Sequence, residues 1–445
     1  MFGRLFSING RYSIWANVSR NAKGNVAIIA ALAIPVIFLA IGGAMDFNRM
    51  LQLRNEMQDA ADVASVGAVA INSMAFKAST QIGSGEIAVG ETQAVSMFQS
   101  GMQSASDLTG VTASATVTKA TNTLTSTLTA TGTFKPLMLG VLGFSALPIN
   151  VTSKTITTIP PYIDFYLLLD NSPSMGVGAT TADINKMVAN TSDQCAFACH
   201  QRDMEGKDYY TKAKKLGVTT RIDVVRQATQ NLMTKAGQSQ TMANQFRMAI
   251  YDFGLSADTI DAQNPTAYQV SALTTDLVQS ASNAAKIDLM VMPYAGYNSD
   301  RQTNFKSTLT SMNNLIPTPG DGLTAGAPQK VLFMVSDGAN DSYDCNYTNG
   351  NTCRRITPLD ITQCTAIKAR GIRIAVLYTT YLPLPTNGFY NSWLAKYVAA
   401  PSQLATQMQA CASPGLYFEV SPSQGISDAM QALFNRVITV VRLNG

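Results

Sequence analysis

The chain has 445 residues, enough for two or three domains that each bury a core. Only 13% of its residues are charged and the formal net charge is +4, which excludes a polyanion-binding bias and gives no case for nucleic acid as the main partner. What remains is a globular composition to which something apolar has been added.

The addition is local. Between Lys23 and Asp46 the sequence GNVAIIAALAIPVIFLAIGGAM carries no charge, and about 20 such residues cross a bilayer core. Residues 24–45 are therefore expected to form a transmembrane helix. A cleavable signal ending near Gly42 and Ala44 is the competing reading, but its apolar core is normally shorter. Arg4, Arg11, Arg20 and Lys23 precede the span without a single acid, so residues 1–23 are expected to be a cytoplasmic tail and the chain beyond Asp46 to lie outside, in the periplasm or at the surface. All six cysteines (Cys195, Cys199, Cys345, Cys353, Cys364 and Cys411) follow the span, and an even number in an oxidising compartment reads as disulfides. Pairing of sequence neighbours, Cys195–Cys199, Cys345–Cys353 and Cys364–Cys411, is the simplest of the possible connectivities.

Residues 46–159 come next. Met50, Leu53, Met57, Ala60 and Ala64 recur at intervals of three and four, which continues the helix outward as a stalk with one apolar stripe. The stripe packs either on its own domain or on a partner's helix. A second short helix is expected near Ile87–Gln99. The Thr/Val alternation in VTASATVTKATNTLTSTLTATGTF and INVTSKTITTI then predicts a small sheet. Pro160 and Pro161 mark a boundary.

In residues 160–445, apolar strand candidates alternate with helical patterns: Ile163–Leu169, a helix at Arg221–Ala236, Phe246–Phe253, Lys330–Ser336, Ile372–Tyr378, Leu416–Val420 and a last helix near Gln424–Val437. Strands apolar on both faces and separated by helices indicate an α/β domain with a mainly parallel sheet. The stretch Val177–Thr220 reads as an insertion after the first strand.

The chemistry gathers at strand ends, where open α/β sheets place their ligands. The first strand runs into DNSPS, Asp170 to Ser174, and the strand KVLFMVS runs into Asp337 and a glycine. A bare Asp-x-Ser-x-Ser arises by chance in roughly one chain in seven of this size. Placed directly after a buried strand and matched by a second strand-terminal acid, it carries more weight. Carboxylates and hydroxyls are hard oxygen donors suited to Mg²⁺ or Mn²⁺. A cap or turn explains either loop alone, but not their combination.

DNSPS after YIDFYLLL, with VSDG after KVLFM, resembles the metal-ion-dependent adhesion site of von Willebrand factor type A domains. The resemblance implies a Rossmann-like fold and a metal site of Asp170, Ser172, Ser174, Thr303 and Asp337, the serines and threonine as ligands and the aspartates acting largely through water. Thr303 opens a helical pattern at the expected distance from Asp337; Thr318 and Thr324 are the alternatives. The front of the chain, GNVAIIAALAIPVIFLAIGGAMDFNRMLQLRNEMQDAADVASVGAVA, is similar to the anchor of TadG-type proteins of Tad (Flp) pilus machinery. Position 29, where processed pilins carry Glu, is Ile29. These resemblances imply a single-pass inner-membrane accessory protein, not an enzyme, that acts in pilus assembly, adhesion or protein–protein interaction and offers its metal to an acidic residue of a protein partner.

Other readings are weaker. A phosphatase with a strand-terminal Asp nucleophile would lack its second acid, since Ser172 stands there. Cys195, Cys199 and His200 lack a fourth ligand for a zinc site, and no serine elbow accompanies this single histidine. A von Willebrand A envelope protein unrelated to pili is the remaining alternative.

Overall fold

The computed structural model describes residues 25–103, 106–196, 209–253, 267–290, 303–343, 354–421 and 425–443. The chain divides into two compact units, one of residues 1–78, 86–118 and 124–157 and one of residues 79–85, 119–123 and 158–445.

The first unit is built on α1 (Asn25–Val69), a single helix of 45 residues. Its first half is apolar on every side and exposed, as in Val26, Ile29, Leu32, Val36 and Phe38. Past Asp46 the exposure becomes one-sided: Leu53, Met57, Ala61, Ala64 and Ala68 are fully buried. Their neighbours are α2 (Ala88–Gly101) and a sheet in which β1 (Leu108–Ala120), β2 (Thr123–Phe134) and β3 (Leu147–Thr158) lie side by side in chain order. Ser65 of α1 sits 3.2 Å from the Ser126 carbonyl and 3.0 Å from the Thr155 hydroxyl. The apolar stripe thus packs within its own unit. Leu124, Leu128, Ala130 and Phe134 of β2 are buried at even positions, the period of two that the Thr/Val alternation predicts. Between β2 and β3, α3 (Met138–Val141) forms one turn.

In the second unit, β4 (Ile163–Leu169) is buried at every position, which is why it reads as an unbroken apolar run. Two helices, α4 (Thr181–Asn190) and α5 (Tyr209–Lys215), occupy the stretch read as an insertion. Then follow α6 (Arg221–Ser239), β5 (Phe246–Asp252), β6 (Tyr268–Thr274), α7 (Leu277–Ala284), α8 (Phe305–Leu315) and β7 (Gln329–Ser336). After a separate two-stranded ladder of β8 (Ala339–Tyr343) and β9 (Arg354–Pro358) come α9 (Thr362–Ala369), β10 (Arg373–Thr379), α10 (Gln403–Cys411), β11 (Tyr417–Val420) and α11 (Ile426–Leu443).

The main sheet has the order β11-β10-β7-β4-β5-β6. All neighbours are parallel except β6, which is an antiparallel edge. Counted as six strands in chain order, the sheet reads 3-2-1-4-5-6, the doubly wound order whose direction reverses between β4 and β7. This is the mainly parallel, helix-covered α/β architecture expected from the sequence. Phe434 of α11 packs on Phe165 and Phe246 of the adjacent strands β4 and β5. The edge β6 and the β8–β9 ladder were not foreseen: YQVSALT is largely exposed, and ANDSY and RRITP lack an apolar run.

Cys364 and Cys411 form a disulfide that ties α9 to α10, as the neighbour pairing predicts. Cys195 is also disulfide-bonded. Cys199, His200, Cys345 and Cys353 lie outside the described residues.

Candidate functional site

The parallel register of β4 on β7 sets Leu169 opposite Val335. One step farther, Asp170 and Ser336 become neighbours, and Asp337 follows. The Asp170 N–H donates to the Val335 carbonyl at 2.9 Å, so the ladder holds the acid in place. Its Oδ1 accepts the Ser172 N–H at 2.9 Å and its Oδ2 the Ser336 hydroxyl at 2.5 Å. Pro173 then starts a single 3₁₀ turn over Pro173–Gly176. The hydroxyls of Ser172 and Ser174 lie 3.2 Å apart. Asn171 binds the surrounding loops, accepting the Phe253 N–H at 3.2 Å and donating to the Asp288 carbonyl at 3.2 Å.

On the other strand end the chain turns at Gly338, whose φ of +73° suits only glycine, and a Cβ there would meet the Met408 side chain at 2.8 Å. The Asp337 Oδ1 accepts the Ala339 N–H at 3.2 Å. Its Oδ2 is fully buried and, among the described residues, accepts no hydrogen bond.

The group facing that oxygen is one the sequence reading missed. Arg221, first residue of α6, is completely buried with its Nη1 3.6 Å from Asp337 Oδ2. Among the described residues none of its guanidinium nitrogens has a hydrogen-bond partner, and its Cζ stands 4.6 Å from the centre of the Tyr381 ring. Asp223 fixes the helix start by accepting both the N–H and the hydroxyl of Thr220, at 3.0 and 2.7 Å. A basic residue in the first turn opposes the helix dipole. That misplacement was the available signal that an acid waits opposite.

Electrostatics follow from burial. Desolvation, and next the charge of Asp337, push the Asp170 carboxyl up to about 7 despite its hydrogen bonds. Burial, and then Asp337, hold the Tyr381 phenol well above its ordinary range.

Of the five predicted residues, Asp170, Ser172, Ser174 and Asp337 meet at the point where the sheet order reverses. Ser174 is half-buried and the other three are fully buried. Thr303 is buried and exchanges both backbone hydrogen bonds with Asp341, at 3.0 and 2.8 Å. That places it beyond the end of β7, although among the described residues its hydroxyl bonds to none of the other four. Thr318 and Thr324 belong to the opposite end of the sheet, where Gly322 accepts the N–H of Tyr162, the residue before β4. Among the described residues no three His, Cys, Asp or Glu side chains converge. The donors are hydroxyls and two carboxylates, and the unsatisfied Asp337 oxygen fits a hard divalent cation. Arg221 already brings one positive charge to the same oxygen.

Residues 24–70 match the family model of Flp pilus-assembly TadE/G-like proteins. No curated protein matches the chain in sequence. Among solved structures, the chain is similar to the pilus adhesin SpaC of Lactobacillus rhamnosus GG, with 11% identity over 75% of this chain and 35% of that one and a TM-score of 0.36. It is similar to the vWF domain of the type V pili tip protein Mfa5 of Porphyromonas gingivalis, with 10% identity over 64% of this chain and 97% of that one and a TM-score of 0.33. Proximal thread matrix protein 1 of the mussel byssus, in a structure with a zinc-occupied MIDAS motif, gives 12% identity over 64% of this chain and 46% of that one and a TM-score of 0.32. The chain spans less than half the length of the first and third of these. Likenesses this distant add nothing to the fold assignment, which rests on strand order and register. The sequence match stands for α1: from residue 24 to residue 70 this chain is similar to the TadE/G-like pilus-assembly family.

Proposed function

We propose that the protein is a single-pass inner-membrane accessory component of a Tad-type pilus system, with residues 1–23 cytoplasmic and the rest periplasmic or at the surface. In this reading its α/β unit docks a protein partner through a Mg²⁺- or Mn²⁺-binding site of Asp170, Ser172, Ser174, Thr303 and Asp337. The observation that carries it is the convergence of two strand-terminal carboxylates and the serine hydroxyls at the switch point, with one buried carboxylate oxygen left unsatisfied. A bound ion would supply an electron-poor centre that accepts a partner's carboxylate as a last ligand. Ser174, the least buried of the donors, marks the side from which the partner approaches.

Arg221 sets the entry condition. Its guanidinium offsets the charge of Asp337 in the absence of an ion, so the side chain withdraws when an ion is taken up. Turnover is not favoured: Asp170 is fully buried and both of its oxygens already accept hydrogen bonds, which leaves no free face for nucleophilic attack.

Calorimetric titration of the detergent-solubilised full chain with Mn²⁺ tests this reading. Saturable binding lost in Asp170→Ala supports it; no binding in the parent, or an unchanged Asp170→Ala, overturns it. Fusion of alkaline phosphatase after Gly445 tests the topology, and a stable but inactive fusion reverses the orientation.

A further inference from the structure

The first unit exposes a second apolar feature that the anchor alone does not explain. Leu137, Val141, Leu142 and Phe144 are 81%, 74%, 54% and 56% exposed. No charged residue occurs between Lys135 and Lys154. Four large apolar side chains on one short turn form a patch that water does not favour.

Its position on α1 identifies what covers it. Asp46, the first charge after the apolar run, accepts the N–H groups of Leu137, Met138 and Leu139 at 3.2, 2.7 and 2.8 Å. Met138 packs on Gly42 so closely that a Cβ there would meet its Cγ at 2.4 Å, and Leu139 packs on Gly43 at 3.2 Å from the corresponding position. Gly42 lies one helical turn, about 6 Å, farther into the apolar run than Asp46. If residues 26–45 span the roughly 30 Å of hydrocarbon, the turn is drawn below the level at which the span ends.

We propose that residues 137–144 form an interfacial foot that inserts into the outer leaflet of the membrane beside α1, its occupant being lipid acyl chains. The proposal rests on the anchor reading above. It accounts for three facts together: the glycine pair that lets the turn approach the helix, the exposed Leu, Val and Phe side chains, and a carboxylate at the membrane boundary whose charge is met by three backbone N–H groups. Lys135, exposed at the start of the turn, is placed to reach the headgroups, as amphipathic side chains do at such boundaries.

The test uses the full chain with Trp15 and Trp393 replaced by Phe, reconstituted in vesicles whose lipids carry bromine at defined depths along the acyl chain. Single tryptophans report from Ile37→Trp in the span, Phe144→Trp in the turn and Val278→Trp on the exposed face of α7. Loss of fluorescence at positions 37 and 144 but not at 278 is expected, with position 144 quenched most by bromine near the headgroup. Quenching at 37 without quenching at 144 overturns the foot and leaves the anchor intact. No quenching at 37 overturns the anchor and the foot with it. Gly42→Leu, which crowds Met138 out, should reduce quenching at 144 while leaving it at 37; unchanged quenching at 144 overturns the assigned packing.

Discussion

The two ends of the central strands β4 and β7 carry the same kinds of side chain and treat them differently. At the amino end, Asp164 is almost fully buried and receives hydrogen bonds from Arg247 at 2.6 and 2.8 Å and from Lys330 at 2.5 Å. Both cations are its direct cross-strand neighbours, so sheet pairing itself closes the triad. At the carboxyl end, Asp337 faces Arg221 at 3.6 Å with no hydrogen bond between them. A closed triad has nothing left to offer a ligand. An open one keeps acceptors in reserve, and in an open α/β sheet the carboxyl end is where that reserve is used.

Breaking the closed end should have the largest effect. Asp164→Ala leaves Lys330 buried without its counter-charge and should destabilise the α/β unit by about 3–5 kcal/mol. Urea denaturation checks this, and the folded fraction should bind Mn²⁺ as the parent does. Asp170→Ala should do the reverse, leaving the fold in place while weakening Mn²⁺ binding at least about tenfold, or about 1.4 kcal/mol. Calorimetry and denaturation of the same sample separate the two outcomes. Arg221→Gln removes the competing cation and should tighten Mn²⁺ binding by a factor on the order of ten; unchanged affinity would mean that the guanidinium does not share the ion's position.

The smallest expected effect is a pH slope. Because the folded Asp170 carboxyl titrates near 7 and its ordinary value is 3.8, the folded protein holds a proton that the unfolded chain has released throughout that window. Metal-free stability should therefore fall as pH rises from about 4 to about 7, by less than about 1.4 kcal/mol per pH unit. Asp170→Asn should remove that part of the slope. A slope unchanged in Asp170→Asn would assign it to other groups.

What the sequence made legible follows from range. Strands buried on both faces announce themselves within seven or eight residues, and so do the acid and serines that directly follow one of them. The edge strand β6 was invisible because half of it faces water and resembles a loop. Arg221 left one faint local trace, a basic residue in the first turn of its helix, and was missed for another reason. Its burial depends on Asp337 and Tyr381, which the fold brings to it from distant parts of the chain, and the first-turn position alone does not name them. Ser336 was visible in the VSDG motif, but its hydrogen bond to Asp170 depends on the register between β4 and β7. The disulfide of α9 and α10 was accessible only through the assumption that neighbours pair.

The unbroken course of α1 has a mechanical consequence. A helix that begins in the apolar run and ends with Leu53, Met57, Ala61 and Ala64 locked into the core of its unit contains no joint between the two. Its one proline, Pro35, falls in the exposed apolar half, so any bend it causes stays on that side of Asp46. A tug along the chain on this unit is then borne by helix and core as a single lever, and any tilt of the apolar half turns the Thr-rich sheet with it.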